Sequence, residues 1–147
     1  MNNPDTQRVF NILLAEDNPG DVRLIREALK EQGIGHHLQV AVDGAEALDI
    51  LHAAAGSSLP DIIILDWNLP KKNGREVLAD IKEDLQLKHI PVVVLTTSEA
   101  KHDIRCAYEL NANCYITKPL ELDAFMEIIK AIELFWLTIV KLPRNVE

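Results

Sequence analysis

Asp61-Ile62-Ile63-Ile64-Leu65-Asp66 decides the fold. Four aliphatic residues stand in an unbroken run between two aspartates, so a strand made of them has no polar face. Burial on both faces is the condition of a strand inside a parallel sheet. Strands of the same kind recur along the chain. Val9-Phe10-Asn11-Ile12-Leu13-Leu14-Ala15, Leu38 to Val42, Pro91-Val92-Val93-Val94-Leu95-Thr96 and Cys114-Tyr115-Ile116-Thr117 are all β-prone. Helical patterns lie between them. Pro19 starts the first, Val22, Ile25 and Leu29 share its inner face, and Gly33 lies beyond its end. Asp43-Gly44-Ala45-Glu46 has the spacing of a helix N-terminus, and Ala47, Leu48 and Leu51 continue that helix. Gly74 opens the third, with Val77, Leu78 and Ile81 turned inward. Ser98 is expected to cap the fourth, and Asn111 to end it in a left-handed conformation. A last helix starts after Pro119 and runs towards Leu142. Five strands alternating with five helices predict a doubly wound α/β fold, a (βα)5 arrangement around a five-stranded parallel sheet.

The 147 residues make one domain, with a core expected from about residue 9 to 132. Net charge is −8, a field that repels phosphate backbones and anionic lipid, so nucleic acid and membrane surfaces are poor partners. The two cysteines, Cys106 and Cys114, form no CxxC pair and suit a reducing compartment. Met1 to Gln7 is polar, without the basic and then apolar run of a signal peptide, and no stretch is apolar long enough to span a bilayer. A cytoplasmic location is expected.

In a doubly wound sheet, ligands bind outside the carboxyl ends of the strands. Here those ends carry Glu16-Asp17, Asp66, Thr96-Thr97 and Lys118-Pro119. Singly, such residues are most often helix caps or surface groups. Their joint placement at four strand ends points to a site. Three clustered carboxylates raise one another's pKa unless a cation sits between them, and Mg²⁺, which takes few protein ligands and keeps several waters, is the natural candidate. A carboxylate beside Mg²⁺ can act as a nucleophile and become an aspartyl phosphate. Metal and lysine can then stabilise the phosphoryl oxygens during transfer.

The runs Leu14-Ala15-Glu16-Asp17-Asn18, Ile64-Leu65-Asp66-Trp67-Asn68-Leu69-Pro70, Leu95-Thr96-Thr97-Ser98 and Tyr115-Ile116-Thr117-Lys118-Pro119 resemble the receiver domains of bacterial two-component response regulators. The resemblance covers about Val9 to Ile132. More narrowly, Asp17-Asn18-Pro19-Gly20-Asp21 and Pro70 to Leu78 are similar to the stand-alone regulators that partner bacterial phytochrome histidine kinases, notably in cyanobacteria. The resemblance implies a flavodoxin-like, CheY-like fold, a sensor histidine kinase as partner, and Asp66 as phosphoacceptor. It implies Mg²⁺ bound by Asp17 and Asp66 directly, by Glu16 through water and by the Asn68 backbone carbonyl. Lys118 is expected to pair with Asp66 and then with the phosphoryl group. Thr96 is expected to donate its hydroxyl to that group, and Tyr115 to be the aromatic switch that follows Thr96. A cis Lys118–Pro119 bond is also implied. Asn111 and Cys114 depart from the family by standing where many members have small residues.

Two other functions use the same residues. A Mg²⁺-dependent phosphohydrolase of the haloacid dehalogenase type would share the Asp66 nucleophile, but it carries a second acid two residues later. That position is Asn68, whose amide cannot do acid/base work, so a timed switch is favoured over turnover. A phosphorylation-independent docking module predicts loss of Asp66, Thr96 or Lys118, and all three are present.

His36, His37, His52, His89 and His102 form no metal-binding spacing and are expected at the surface or in loops, His36-His37 in the latter. Lys71-Lys72 fits either a solvated turn or a docking point for the kinase. Trp67, next to Asp66, is a potential fluorescent reporter of Mg²⁺. Leu122, Phe125, Ile128, Ile129 and Ile132 make an ordinary inward face, but Leu134 to Val140 is apolar nearly all round. A homodimer built on the fourth helix, fifth strand and fifth helix is expected, with Phe135, Trp136, Ile139 and Val140 at its interface; the alternative is that the tail folds back on its own domain. Only five residues follow Leu142, so the expected output is a protein contact.

Overall fold

The computed structural model describes residues 9–143; the N-terminal run Met1 to Gln7 lies outside it. The aliphatic run forms β3 (Ile62–Leu65), the middle strand of a five-stranded parallel sheet ordered β2-β1-β3-β4-β5. The other strands are β1 (Phe10–Ala15), β2 (His36–Ala41), β4 (Val92–Thr96) and β5 (Cys114–Thr117). The helices are α1 (Pro19–Gln32), α2 (Gly44–Ala54), α3 (Gly74–Glu83), α4 (Lys101–Glu109) and α5 (Leu122–Leu134).

β3 is buried on both faces, as its composition requires. Ile63 and Leu65 join Leu13, Val92 and Val94 in a core completed by Leu48, Leu51, Val77, Leu78 and Ile81 of α2 and α3. Ile62 and Ile64 join Ile12, Leu14, Val93 and Leu95 against Ile25 and Leu29 of α1 and Phe125 and Ile129 of α5. The alternation of side chains along each strand sorts them into these two layers.

Helix starts follow local hydrogen bonding. Asn18 caps α1, accepting from the N–H groups of Gly20 at 2.9 Å and Asp21 at 3.2 Å. Asp43 accepts from Glu46 N–H at 2.7 Å at the start of α2. Asn73 and Glu76 form a reciprocal capping box on α3. Gly33 (φ 72°) and Asn111 (φ 69°) hold the left-handed conformations expected after α1 and α4.

Three local expectations need correction. Ser98 does not cap α4, which starts two residues later after Ala100. Its hydroxyl instead donates to Asp103 Oδ2 at 2.6 Å and accepts from Ala100 N–H at 3.3 Å. His36 and His37 are not in a loop but open β2, paired with Phe10 and Asn11. β2 is an edge strand with polar residues on its open face, which hides its start from a search for apolar runs. Finally, α5 ends at Leu134, and Phe135–Ile139 forms a π-helical turn closed by Val140 N–H donating to Phe135 C=O at 2.9 Å. Leu137 and Leu142 fold back into the α1/α5 core, while Phe135 (50% exposed) and Ile139 (62%) face outward.

Candidate functional site

β1 and β3 are neighbours where the strand order reverses, and their carboxyl ends open one crevice. Glu16 and Asp17 follow β1, and Asp66 follows β3. Asp66 N–H donates to Ala15 C=O at 3.0 Å, which fixes the two strand ends side by side. One carboxylate oxygen from each of the three acids lies within 4.8 Å of the others. Glu16, Asp66 and Lys118 are buried, whereas Asp17 is exposed at the mouth. The backbone is drawn in tightly here. A Cβ on Gly74 would come within 2.5 Å of Asp66 C=O, so only glycine lets α3 start this close to the aspartate. Asn68 N–H donates to Asp66 Oδ1 at 3.2 Å and orients the carboxylate.

Lys118 enters from the end of β5, its own N–H donating to Thr96 C=O at 2.7 Å. Its ammonium bonds Glu16 Oε1, Asp21 Oδ2 at 3.0 Å and Asp66 Oδ2 at 3.4 Å. The Lys118–Pro119 peptide is trans, not cis as expected. Trans is the lower-energy form by about 0.5–1 kcal/mol, and Lys118 reaches all three carboxylates with it. Burial pulls the ammonium's pKa down, but the bond to Glu16 and the charge of Asp66 outweigh it and hold it above its ordinary value. Burial also lifts the Glu16 carboxyl to about 7; the bond from Lys118 works against this and the charge on Asp66 adds to it.

Thr96 is fully buried, and its hydroxyl has no hydrogen-bond partner among the described residues. A buried hydroxyl left without a partner at the end of β4, the strand beside β3, is a rare feature that calls for an explanation. Tyr115 pairs with Val94, two residues before Thr96, on the same face of the sheet. Its hydroxyl donates to Ser98 C=O at 2.9 Å, and its ring packs edge-on against Trp67 with centroids 6.4 Å apart. Trp67 is core, at 6% exposure.

The geometry brings Glu16, Asp17, Asp66 and Lys118 together and sets Thr96 at the next strand end. It adds one residue that sequence reasoning left without a role. Asp21, in the first turn of α1, is a carboxylate partner of Lys118. No local spacing announces it: Asp17 precedes the Asn18 cap and lies outside α1, and Lys118 is 97 positions away. The residues proposed for the dimer face lie apart from this crevice, in and after the π-helical turn.

The carboxylates fit a hard divalent cation: oxygen donors only, convergent, and too close to one another to be comfortable without positive charge. A doubly wound sheet with an acidic crevice and a buried lysine at its switch point defines a phosphoacceptor module, and the chain belongs to the response regulator receiver domain family, whose model matches residues 12–130. Within that family it is similar to Response regulator Rcp1 of Synechocystis sp., with 48% identity over 135 residues, 90% of this chain and 92% of the relative. The solved structure of the phosphorylated cyanobacterial phytochrome response regulator RcpA matches with a TM-score of 0.89 and 50% identity, covering 92% of this chain and 99% of that one. The Mn²⁺-bound form of Rcp1 matches with a TM-score of 0.86 and 47% identity, covering 91% and 99%.

Proposed function

We propose that this receiver takes a phosphoryl group onto Asp66 from a phosphohistidine of a sensor histidine kinase of the phytochrome type, in a Mg²⁺-dependent reaction. One observation carries the reading: Asp66 has two further carboxylates within 4.8 Å and an ammonium 3.4 Å from its Oδ2. An Asp66 oxygen forms a bond to phosphorus as the donor's N–P bond breaks, and the leaving imidazole keeps the electron pair and takes up a proton. Asp17 and Asp66 would hold Mg²⁺ directly, with Glu16 through water and the Asn68 carbonyl completing the protein's share. When bound, the cation neutralises charge on the phosphoryl oxygens. Lys118 offers an N–H to those oxygens, and Thr96 offers its unpartnered hydroxyl. Tyr115, tied through Ser98 C=O to the loop after Thr96, relays the shift of Thr96 to the surface around α4 and β5. The phytochrome link is supported by the likeness to Rcp1 and RcpA.

Incubation with acetyl phosphate and Mg²⁺ followed by intact-mass measurement tests the reading. A single phosphate adduct, absent from Asp66→Asn, is expected. An intact protein that gains no phosphate refutes it, and continuous release of phosphate from many organic esters would favour the hydrolase.

A second reading concerns assembly. Phe135 and Ile139 are half exposed or more beside the half-buried Trp136 and Val140. A groove of about 450 Å³ runs between β5 and α5, lined by Cys114, Ile116, Ile128, Ile132, Phe135 and Trp136. This apolar face supports a homodimer through α4, β5 and α5. Light scattering at high micromolar protein is expected to give twice the monomer mass, and a monomer mass with and without phosphorylation ends the idea.

A further inference from the structure

An ammonium has three N–H donors, and Lys118 has three carboxylate partners. Glu16 and Asp66 already belong to the site. Asp21 is the third, at 3.0 Å, closer than Asp66 at 3.4 Å. Its backbone N–H donates to the Asn18 cap at 3.2 Å, so the turn that carries its side chain is fixed. The three partners differ in access to water. The side chains of Glu16 and Asp66 are 2% and 9% exposed, that of Asp21 22%.

We propose that Asp21 is a positioning residue which holds Lys118 back from Asp66 and so slows phosphorylation while strengthening cation binding. The inference rests on the function proposed above. With all three donors engaged, a phosphoryl oxygen arriving at Asp66 gains an N–H only when a carboxylate gives one up. Glu16 is too dry to exchange its ammonium for water without a large desolvation cost. Asp21 lies at the rim and rehydrates easily, so it is the partner that yields, and its hold sets how readily the ammonium is released. Its charge also has two opposite effects. It draws a divalent cation towards the crevice and repels an anionic phosphodonor.

Replacing Asp21 by asparagine therefore moves two measurements in opposite directions, which simple loosening of the crevice does not do. The full-length chain, Asp21→Asn and Asp21→Glu are compared by Mg²⁺ titration of tryptophan fluorescence and by the rate of phosphorylation with acetyl phosphate at saturating Mg²⁺. For Asp21→Asn we expect Mg²⁺ affinity to fall about fivefold and phosphorylation to speed up about threefold, the size of effect that one nearby, partly screened charge produces. Asp21→Glu keeps the charge and is expected to stay near wild type in both. Parallel losses in both measurements, or no change in either, overturn the proposal. Should the wild-type chain take no phosphate, the proposed function fails instead. The Mg²⁺ arm then still decides the role of Asp21, because an unchanged affinity refutes it.

Discussion

Two glutamates at different places in the fold have lost nearly all contact with water, and they differ in what replaced it. Glu16, at the end of β1, is 1% exposed; Glu133, in the last turn of α5, is 2% exposed. Both carboxyls are lifted to about 7 by burial. Glu16 has the Lys118 ammonium on one oxygen and accepts Asn18 N–H at 3.2 Å on the other. Neither oxygen of Glu133 has a hydrogen-bond partner among the described residues. Similar titration thus has different origins. In the crevice, attraction to Lys118 and repulsion from Asp66 both act on the carboxyl, so its charge is linked to whatever binds there. At the end of α5 dryness acts alone, and the proton on Glu133 is linked only to folding.

The largest break in this contrast comes from removing the cation. Lys118→Met keeps an unbranched chain of similar bulk but leaves Glu16 and Asp66 facing each other without an ammonium. Removing one partner of a buried ion pair costs about 3–5 kcal/mol. That loss is expected in urea unfolding at pH 8. At pH 5 it should be clearly smaller, because Glu16, whose carboxyl titrates near 7 even with Lys118 beside it, is then protonated and no longer repels Asp66. An equal loss at both pH values would assign the role of Lys118 to packing, and the contrast between the two glutamates would disappear.

The same two regions show how much the sequence discloses. β3 was legible because four aliphatic residues in a row have no polar face, and its terminal Asp66 was legible because strand ends carry function in this architecture. The Asp43 cap was readable through local hydrogen bonding, which spans only three or four residues. The tie between Lys118 and Asp21 spans 97 positions, and no local rule reaches that far. β2 opens at His36 rather than Leu38 because an edge strand tolerates polar residues that an inner strand does not. The trans Lys118–Pro119 bond shows that an expectation carried from relatives can miss a backbone detail while the side chain still reaches its partners. The tail was read by composition alone. A continuous apolar run establishes that several sides want burial, but not that the helix widens to a π turn at Phe135, which sends Leu137 inward and Phe135 and Ile139 outward.

Glu133 offers a smaller and more selective test. Its folded-state carboxyl keeps a proton up to about 7, whereas the ordinary value is 4.5. The folded state therefore binds more protons than the unfolded state across that interval, and the stability of the wild-type chain falls as pH rises through it. Below 4.5 both states are protonated and the residue has no electrostatic cost; above 7 the full cost is present. Glu133→Gln has no titration. Its stability relative to wild type should thus be constant below about pH 4, climb between pH 4.5 and 7, and level off above, with a total rise of at most roughly 3 kcal/mol from the linkage of proton binding to folding. Any fixed cost of burying the amide shifts the whole curve without changing its slope. Urea unfolding of both proteins from pH 4 to 8 measures that slope. A flat difference would mean that Glu133 finds a partner or water in solution, and the distinction from Glu16 would then rest on the identity of the partner rather than on its presence.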